Sequence, residues 1–393
     1  MNLRELATKI GIENYPAELE DAYLRLVDDG LAYDAKTICD LNEKYDLLGE
    51  FYEVVLAAAA EIKNDEYLKT WLALGYEFCK DVSAYEARRF PMPPMDGTLA
   101  RDLFPALLLI REIPDAVKRY EKRGFTEAQI KKNLENIKIN IWVYNLTKGN
   151  PALSPGLYIW LTLYTKALIV DHMGFNYQPQ IWGYDSMLLK NKITGEHTFV
   201  MVSGKFHKSG LVLGSAGCTD EDGSFAAEFN EYTDMFFGHR VVNGRVQPTR
   251  ERFDKSEWQA VLRPGDDIVS LHIPRNTNLS PDYVTESLKE GFDLIKKLYP
   301  ELSPKFIVCY SWLMEPALVD ILGPEAKLSK FMQRFTVHPL FDPTGAGCLG
   351  YVWPGEHCPP EEYSEKTSLQ RGIKKRLLNG EYILAFAGVI TEL

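Results

Sequence analysis

Hydrophobic residues recur at intervals of three and four through about the first 168 positions, which is typical of amphipathic helices. The predicted helical segments are 18–27, 43–62, 65–83, 115–123, 126–145 and 157–169, and the apolar segment 103–110 is expected to be buried. Three prolines between positions 90 and 97 exclude a helix there and predict a surface loop. The first part of the chain is therefore predicted to be helical.

Beyond about position 170 the pattern changes to the alternation that is typical of strands. Predicted strands include 175–178, 197–202, 226–237, 335–340 and 382–390, with a helix at 367–378. A short helix is also predicted to begin at Lys255–Trp258 and to end before Gly265. We therefore expect an α+β protein with a helical domain over 1–150 and a mixed α/β domain over 151–393.

One strand–helix–strand unit organises the second part. Residues 267–273 form an apolar run that Pro274 stops, and Ser280, Pro281 and Asp282 have the character of a helix start. The next strand is predicted over 305–312. A crossover helix of this length joins parallel strands, and ligands of such sheets bind beyond the carboxyl ends of the strands. We therefore expect a site where the loop 274–280 meets the run 309–315.

Composition and charge exclude several classes of function. Hydrophobic residues make up 46% of the chain and charged residues 25%, as in ordinary globular proteins. The net charge is −11, and the only notable basic run is 374–376, which argues against nucleic acid and anionic membranes as partners. No signal-like or membrane-spanning apolar stretch is present, so we expect a cytoplasmic protein.

The six cysteines are scattered, and we expect them to be reduced thiols. Cys348, His357 and Cys358 lie close together in the chain, but their spacing fits no common zinc site and a fourth ligand is missing. We therefore expect no metal.

Four residues at the expected rim carry chemistry. His272 ends the first strand, where an imidazole is suited to general-base catalysis. Cys309, Tyr310 and Ser311 offer nucleophiles or proton donors within one short run, with Cys309 and Ser311 on one face of the strand and Tyr310 on the other. The same residues also fit structural roles, since His272 could order the loop and the others could be buried in the core.

Several motifs resemble those of one family. They are His272–Pro274, Leu279–Pro281, Cys309–Leu313 with Pro316, Phe331–Phe335, Gly238–His239, Lys255–Trp258, Arg263–Asp266 and Thr367–Gln370. In their order and spacing along the chain, these motifs are similar to those of bacterial acyltransferase-domain proteins. In such proteins a helical N-acyltransferase N-terminal domain precedes a GNAT-like C-terminal domain. The resemblance is good over about residues 150–393 and weaker before that.

The resemblance implies a GNAT-like fold for the second domain and acetyl-CoA or another acyl-CoA as co-substrate. In that fold the CoA pyrophosphate binds backbone amides of the loop and helix start that follow the fourth strand. The matching positions here are Ile273, Arg275, Asn276, Thr277, Asn278 and Ser280. The loop departs from the usual glycine-rich pattern, but asparagine tolerates left-handed backbone and Arg275 can pair with phosphate.

The resulting hypothesis is acyl transfer to an amine of a small molecule or a peptide. His272 would act as the base, amides of splayed strands would hold the thioester carbonyl, and Tyr310 or Cys309 would protonate the leaving thiolate. Two alternatives stay open: a non-catalytic GNAT-like module that binds a ligand or protein, and a hydrolase with Ser311 or Cys309 as nucleophile. The pattern assigns no oligomeric state.

Overall fold

A computed structural model describes residues 1–391, which form two compact units, Met1–Asp171 and the chain from His172 onwards. The first unit includes residues 151–171, because the helix in this segment packs on the preceding helices through buried Tyr158, Leu161 and Tyr164. Compactness does not establish which segments fold alone, so the domain boundary expected after residue 150 stays a prediction. The predicted α+β class is confirmed.

The first unit is helical. Its helices are α1 (Leu3–Ile10), α2 (Glu18–Leu24), α3 (Ala35–Tyr45), α4 (Tyr52–Asn64), α5 (Glu66–Cys79), α6 (Ala84–Ala87), α7 (Leu99–Asp102), α8 (Phe104–Arg123), α9 (Glu127–Leu134), α10 (Asn136–Lys148) and α11 (Pro155–Thr165). The proline-rich segment between α6 and α7 is a loop, as predicted. No helix of residues 1–391 is both long and apolar enough to cross a membrane.

Helix boundaries in this unit differ from the sequence pattern in two places. The predicted helix 43–62 is interrupted because Asp46 takes a left-handed conformation (φ 54°) and ends α3. The predicted helix 126–145 divides at Glu135, which separates α9 from α10. The apolar stripe continues across both interruptions, so periodicity alone does not reveal them.

A buried polar network joins α5, α8 and α11. Glu112 is fully buried, accepts hydrogen bonds from Tyr158 Oη at 3.3 Å and Thr165 Oγ1 at 2.9 Å, and lies 3.6 Å from Lys166 Nζ. The Lys166 ammonium also donates to the Cys79 carbonyl oxygen. Each charge of this pair has partners, which offsets the cost of burying it.

The second unit contains two main sheets. Its strands are β1 (Val170–His172, across the boundary), β2 (Phe175–Ile181), β3 (Ser186–Asn191), β4 (His197–Met201), β5 (Lys205–Phe206), β6 (Phe225–Ala226), β7 (Asn230–Glu231), β8 (Met235–Val242), β9 (Arg245–Asp254), β10 (Trp258–Leu262), β11 (Asp267–His272), β12 (Ile307–Ser311), β13 (Phe335–Pro339) and β14 (Phe386–Ile390). Its helices are α12 (Pro281–Leu298), α13 (Ala317–Leu322), α14 (Lys327–Met332), α15 (Leu349–Val352) and α16 (Ser368–Leu378).

The first sheet has the order β1-β2-β11-β12-β14-β13, and the second has the order β10-β3-β4-β8-β7 with β9 on β8. Their facing sides share one apolar core, to which Trp182, Phe199, Ile268 and Val308 belong. The helix predicted to begin at Lys255–Trp258 is wrong. This segment is a turn that leads into β10, where Trp258 pairs with Asn191 and its ring packs against Phe253.

The predicted strand–helix–strand unit is confirmed as β11, α12 and β12, and the two strands are parallel. Helix α12 packs closely on β2, because Gly291 faces the ring of Tyr177. That ring is fully buried, and its hydroxyl donates to the Ser287 carbonyl oxygen at 2.7 Å. A Cβ atom at position 291 would lie only 2.3 Å from the ring, so glycine permits this close approach.

Gly291→Ala should therefore lower the melting temperature and the free energy of unfolding, by about 1–3 kcal/mol, because overpacking displaces α12 from β2. Calorimetry on the full chain measures this. Gly156→Ala in α11 is the matched control, since its added Cβ meets only Ser154 Oγ at 4.0 Å. A Gly291→Ala variant as stable as the parent would contradict this account, because alanine is otherwise the better helix former.

Candidate functional site

The strands β11 and β12 part towards their carboxyl ends. Their pairing covers Val269 with Ile307 and Ser270 with Val308. Each strand nevertheless stays paired on its outer side, β11 with β2 as far as His272 and β12 with β14 as far as Ser311. The sheet therefore opens into a gap between two strands that remain fixed from outside.

Backbone groups point into this gap. The Val269 N–H donates to the Phe306 carbonyl oxygen at 2.9 Å, so these groups lie on the facing edges. Because backbone direction alternates along a strand, we expect the N–H groups of Tyr310 and of Ile273, the first residue after β11, to face the gap beyond the paired positions. Donors of this kind suit a carbonyl oxygen that becomes negative during reaction.

The loop after β11 is held open without glycine. Asn276 takes a left-handed conformation with φ 66°, as expected from its tolerance of that region. The Thr277 hydroxyl can donate to either of two carbonyl oxygens, that of Pro274 at 2.7 Å or that of Gly174 at 2.9 Å. Asn278 Oδ1 accepts from the Ser280 N–H at 3.0 Å. These contacts order the loop at the start of α12.

The N-terminus of α12 is electropositive. Ser280 occupies the N-cap position, as its place at the predicted helix start suggests, but its hydroxyl makes no capping hydrogen bond. Arg334 Nη2 donates to the Pro281 carbonyl oxygen at 3.0 Å, and the exposed Arg275 donates to the Gly350 carbonyl oxygen at 3.4 Å. A guanidinium beside the positive end of a helix dipole favours a bound anion there, although Asp282 in the first turn opposes it.

Sequence reasoning did not assign a role to Arg334. The residue lies in the motif Phe331–Phe335, but it follows α14, about 50 positions after the start of α12. Only the chain's return to this rim brings its guanidinium to Pro281. The motif Phe331–Phe335 supported the family resemblance, but its sequence alone did not indicate that Arg334 would lie at the start of α12.

The four candidate catalytic residues divide between the two faces of the sheet. Ser270 pairs with Val308, so alternation places His272 and Tyr310 on one face and Cys309 and Ser311 on the other. His272 and Tyr310 therefore share a face on opposite sides of the gap. The Ser311 hydroxyl accepts the Leu313 N–H at 3.1 Å, which starts a turn.

Burial sets the protonation of these groups. It lowers the pKa of His272 to about 4, so the imidazole is neutral at neutral pH, and its Nε2 lies 2.9 Å from Gln178 Oε1. Burial, reinforced by Tyr184 and Cys309, raises the pKa of Tyr310 well above its usual value. Burial likewise raises the pKa of Cys309 to about 12. The site thus presents a neutral imidazole, a phenol and an unreactive thiol.

Two cavities lie elsewhere. One of about 460 Å³ in the second unit is lined by the β8–β9 turn, Met314, Pro316 and Phe335. One of about 420 Å³ in the helical unit is lined by Leu48, Phe51 and Trp142, among others. Neither is lined by the candidate residues. Within residues 1–391, no group of three or more His, Cys, Asp or Glu side chains is placed to hold a metal ion.

Family models match both parts of the chain. A model described as the N-acyltransferase N-terminal domain matches residues 36–167, and one described as the GNAT-like C-terminal domain matches residues 223–390. The chain joins an N-acyltransferase N-terminal domain to a GNAT-like C-terminal domain. The family resemblance is thereby confirmed, and the parted strands and α12 belong to the GNAT-like domain. A comparison with curated proteins gave no significant match.

Solved structures share the fold over the whole chain. One is an acyltransferase in complex with decanoyl-CoA (15% identity, TM-score 0.64), and another is an acyltransferase mutant in complex with octanoyl-CoA (14%, 0.67). A third is an acyltransferase in complex with decanoyl-CoA and teicoplanin (14%, 0.66). Each covers 99% of both chains, so the likeness extends to the arrangement of elements in both domains.

Two histidines of the GNAT-like domain, the fully buried His338 and the half-buried His272, predict acid sensitivity. Burial lowers the pKa of His272 and of His338 to about 4, whereas an unfolded histidine has a pKa of about 6.5. Between these values the unfolded chain binds protons that the folded chain does not, so the free energy of unfolding falls as pH falls through this window.

The slope of the unfolding free energy against pH is proportional to the number of protons taken up on unfolding. His338→Gln should reduce that number by about one in this window. Urea denaturation at several pH values between about 4 and 6.5 measures that slope. His272→Gln should have a similar effect, and the double variant should combine both. A slope unchanged by His338→Gln would contradict the neutral, buried state of this imidazole.

Proposed function

We propose that the protein is an N-acyltransferase that moves an acyl group from acyl-CoA to an amine of a small molecule. The observation that carries this proposal is the gap between β11 and β12, whose backbone donors lead directly to the uncapped start of α12. Acyl-CoA needs both features: the backbone donors bind the thioester carbonyl, and the start of α12 binds the pyrophosphate. The family models support the same chemistry.

In this proposal the CoA pyrophosphate lies at the start of α12. The first-turn amides and the helix dipole attract it, and Arg334 and Arg275 supply the positive charge. The left-handed Asn276 gives the loop the turn that glycine provides in other GNAT loops. Ile273, Thr277, Asn278 and Ser280 remain proposed binding positions, with Thr277 and Asn278 acting by ordering the loop.

The proposed reaction is direct transfer. The amine nitrogen attacks the thioester carbon, and the N–H groups of Ile273 and Tyr310 stabilise the developing oxyanion. His272 accepts a proton from the nitrogen, the C–S bond breaks, and the Tyr310 phenol protonates the leaving thiolate. The products are an amide and free CoA, and the proton on His272 returns to Tyr310 through solvent.

The protonation states fit these roles. His272 is neutral and able to accept a proton wherever pH exceeds about 4. Tyr310 keeps its proton, and its raised pKa makes the phenol a weaker acid. The leaving CoA thiolate would be desolvated in the same place, and desolvation raises the pKa of a thiol, as it does for Cys309. The thiolate is then a stronger base, which favours proton transfer from Tyr310. Cys309 lies on the opposite face from His272, so we assign the acid role to Tyr310.

Similar structures favour a small acceptor and an acyl chain of medium length. They hold decanoyl-CoA or octanoyl-CoA, and one also holds teicoplanin. The hydrolase alternative has less support, because the raised pKa of Cys309 opposes thiolate formation and Ser311 lies on the face away from His272. The binding-module alternative predicts CoA binding without turnover.

CoA and decanoyl-CoA should raise the melting temperature of the protein, because a ligand that binds only the folded state stabilises it. Arg334→Ala should weaken CoA binding about ten- to hundredfold, since a hydrogen bond to a charged group contributes about 1.5–3 kcal/mol. Calorimetric titration measures the affinity. Arg252→Ala, an exposed arginine on β9, is the control and should bind CoA like the parent. Equal affinities of the Arg334→Ala variant and the parent would remove Arg334 from the site.

Tyr310→Phe should lower kcat about a hundredfold or more with little change in the KM for decanoyl-CoA, as expected when a proton donor acts only in the transition state. Release of free CoA thiol in the presence of a primary amine measures both constants. His272→Ala should also lower kcat. If both variants turn over at the parent rate, the assigned acid and base are wrong. If the parent binds CoA but transfers to no amine, the domain is a binding module.

A further inference from the structure

Four polar side chains form a block beside the gap. Asn176 and Gln178 on β2 lie directly opposite His272 and Ser270 on β11, so all four project from the same face of the first sheet. Directly opposed residues have Cβ atoms about 4.5–5.5 Å apart. Tyr310 projects from this face as well, across the gap. Of this block, only His272 was predicted from the sequence to belong to the site.

Three of the four side chains are buried, His272 is half-buried, and the hydrogen bonding of the block is incomplete. Asn176 is 3% exposed and Ser270 is fully buried. Gln178 Oε1 bonds to His272 Nε2 at 2.9 Å, but Asn176 Nδ2 and Ser270 Oγ have no hydrogen-bond partner among the described residues. Buried polar atoms without partners cost free energy, and native proteins contain few of them. Asn176 and Ser270 stand at diagonal positions of neighbouring strands, about 7–8 Å apart, and two such atoms beside a proposed active site call for a ligand.

The block is also uncharged. Asn176, Gln178 and Ser270 are neutral, and burial keeps the imidazole of His272 neutral above about pH 4. A carboxylate or ammonium buried here would meet no opposite charge within the block, which is unfavourable. An uncharged hydroxyl or carbonyl oxygen can form hydrogen bonds with the block, because Asn176 Nδ2 donates and Ser270 Oγ donates or accepts.

We propose that this block, Asn176 with Ser270, binds an uncharged oxygen of the acceptor, next to the amine that is acylated. The inference rests on the proposed transferase function and names its substrate class as amines with a neighbouring hydroxyl or carbonyl group. The short distance between opposed residues sets the spacing: an amine delivered to His272 places a substituent on the adjacent carbon beside Asn176.

The test compares two amines that differ by one hydroxyl, trans-2-aminocyclohexanol and cyclohexylamine, with decanoyl-CoA as donor. The parent should favour the amino alcohol in kcat/KM by about tenfold or more, since a site that binds a hydroxyl discriminates against an acceptor that lacks it. Asn176→Leu and Ser270→Ala should bring this ratio towards one, mainly through the KM of the amino alcohol. A parent ratio near one, or a ratio that both variants retain, would overturn the proposal.

Both substitutions remove an unpartnered polar atom, so they should not lower the melting temperature. A purely structural role, with an ordered water as partner, predicts instead a lower melting temperature and an unchanged ratio. The matched control is Gln180→Leu, four residues beyond Asn176 on β2 and opposite Ile268. This variant should keep the parent's ratio.

Binding gives a second readout that does not require turnover. In CoA-saturated protein the amino alcohol should raise the melting temperature more than cyclohexylamine does, and Asn176→Leu should abolish the difference. No difference in the parent would overturn the proposal. If CoA itself gives no shift, the transferase function fails, and the amino alcohol alone then decides whether the block binds such a ligand.

Discussion

The site depends on one constraint: the parallel strands β11 and β12 separate, although each is held on its outer side by another strand. β2 and β14 keep β11 and β12 in place up to His272 and Ser311, while the pairing between the two inner strands ends at Ser270 and Val308. The backbone that faces the gap is therefore held by hydrogen bonds on its outer side. A gap held in this way lets backbone donors meet a reacting carbonyl without reorganisation, which is the main source of electrostatic catalysis.

Helix α12 depends on the same constraint. Close packing of Gly291 on Tyr177 fixes the helix against the sheet, so its positive end stays next to the open end of the gap. Arg334 adds charge to that end although it comes from a distant segment. The loop between strand and helix then needs only one left-handed residue, and Asn276 provides it. Packing and electrostatics together compensate for the missing glycines.

Periodicity and turn residues predicted the strand–helix–strand unit and its rim well, because β11 and α12 have strong local signals: an apolar run ended by Pro274 and a helix start at Pro281. They failed where tertiary pairing decides. Trp258 begins a strand because Asn191 pairs with it, and the apolar stripe near Asp46 continues through the end of a helix. Asn176 and Ser270 carry no local signal, since only the register of β2 and β11 brings them together.

A crystal structure of the full chain with decanoyl-CoA would show directly whether the gap between β11 and β12 holds the thioester. We expect the thioester end between β11 and β12, with its carbonyl oxygen near the N–H groups of Ile273 and Tyr310. The pyrophosphate should lie at the first turn of α12, in contact with Arg334. Decanoyl-CoA bound elsewhere, for example in the cavity lined by Met314 and Phe335, with the gap empty, would contradict the account.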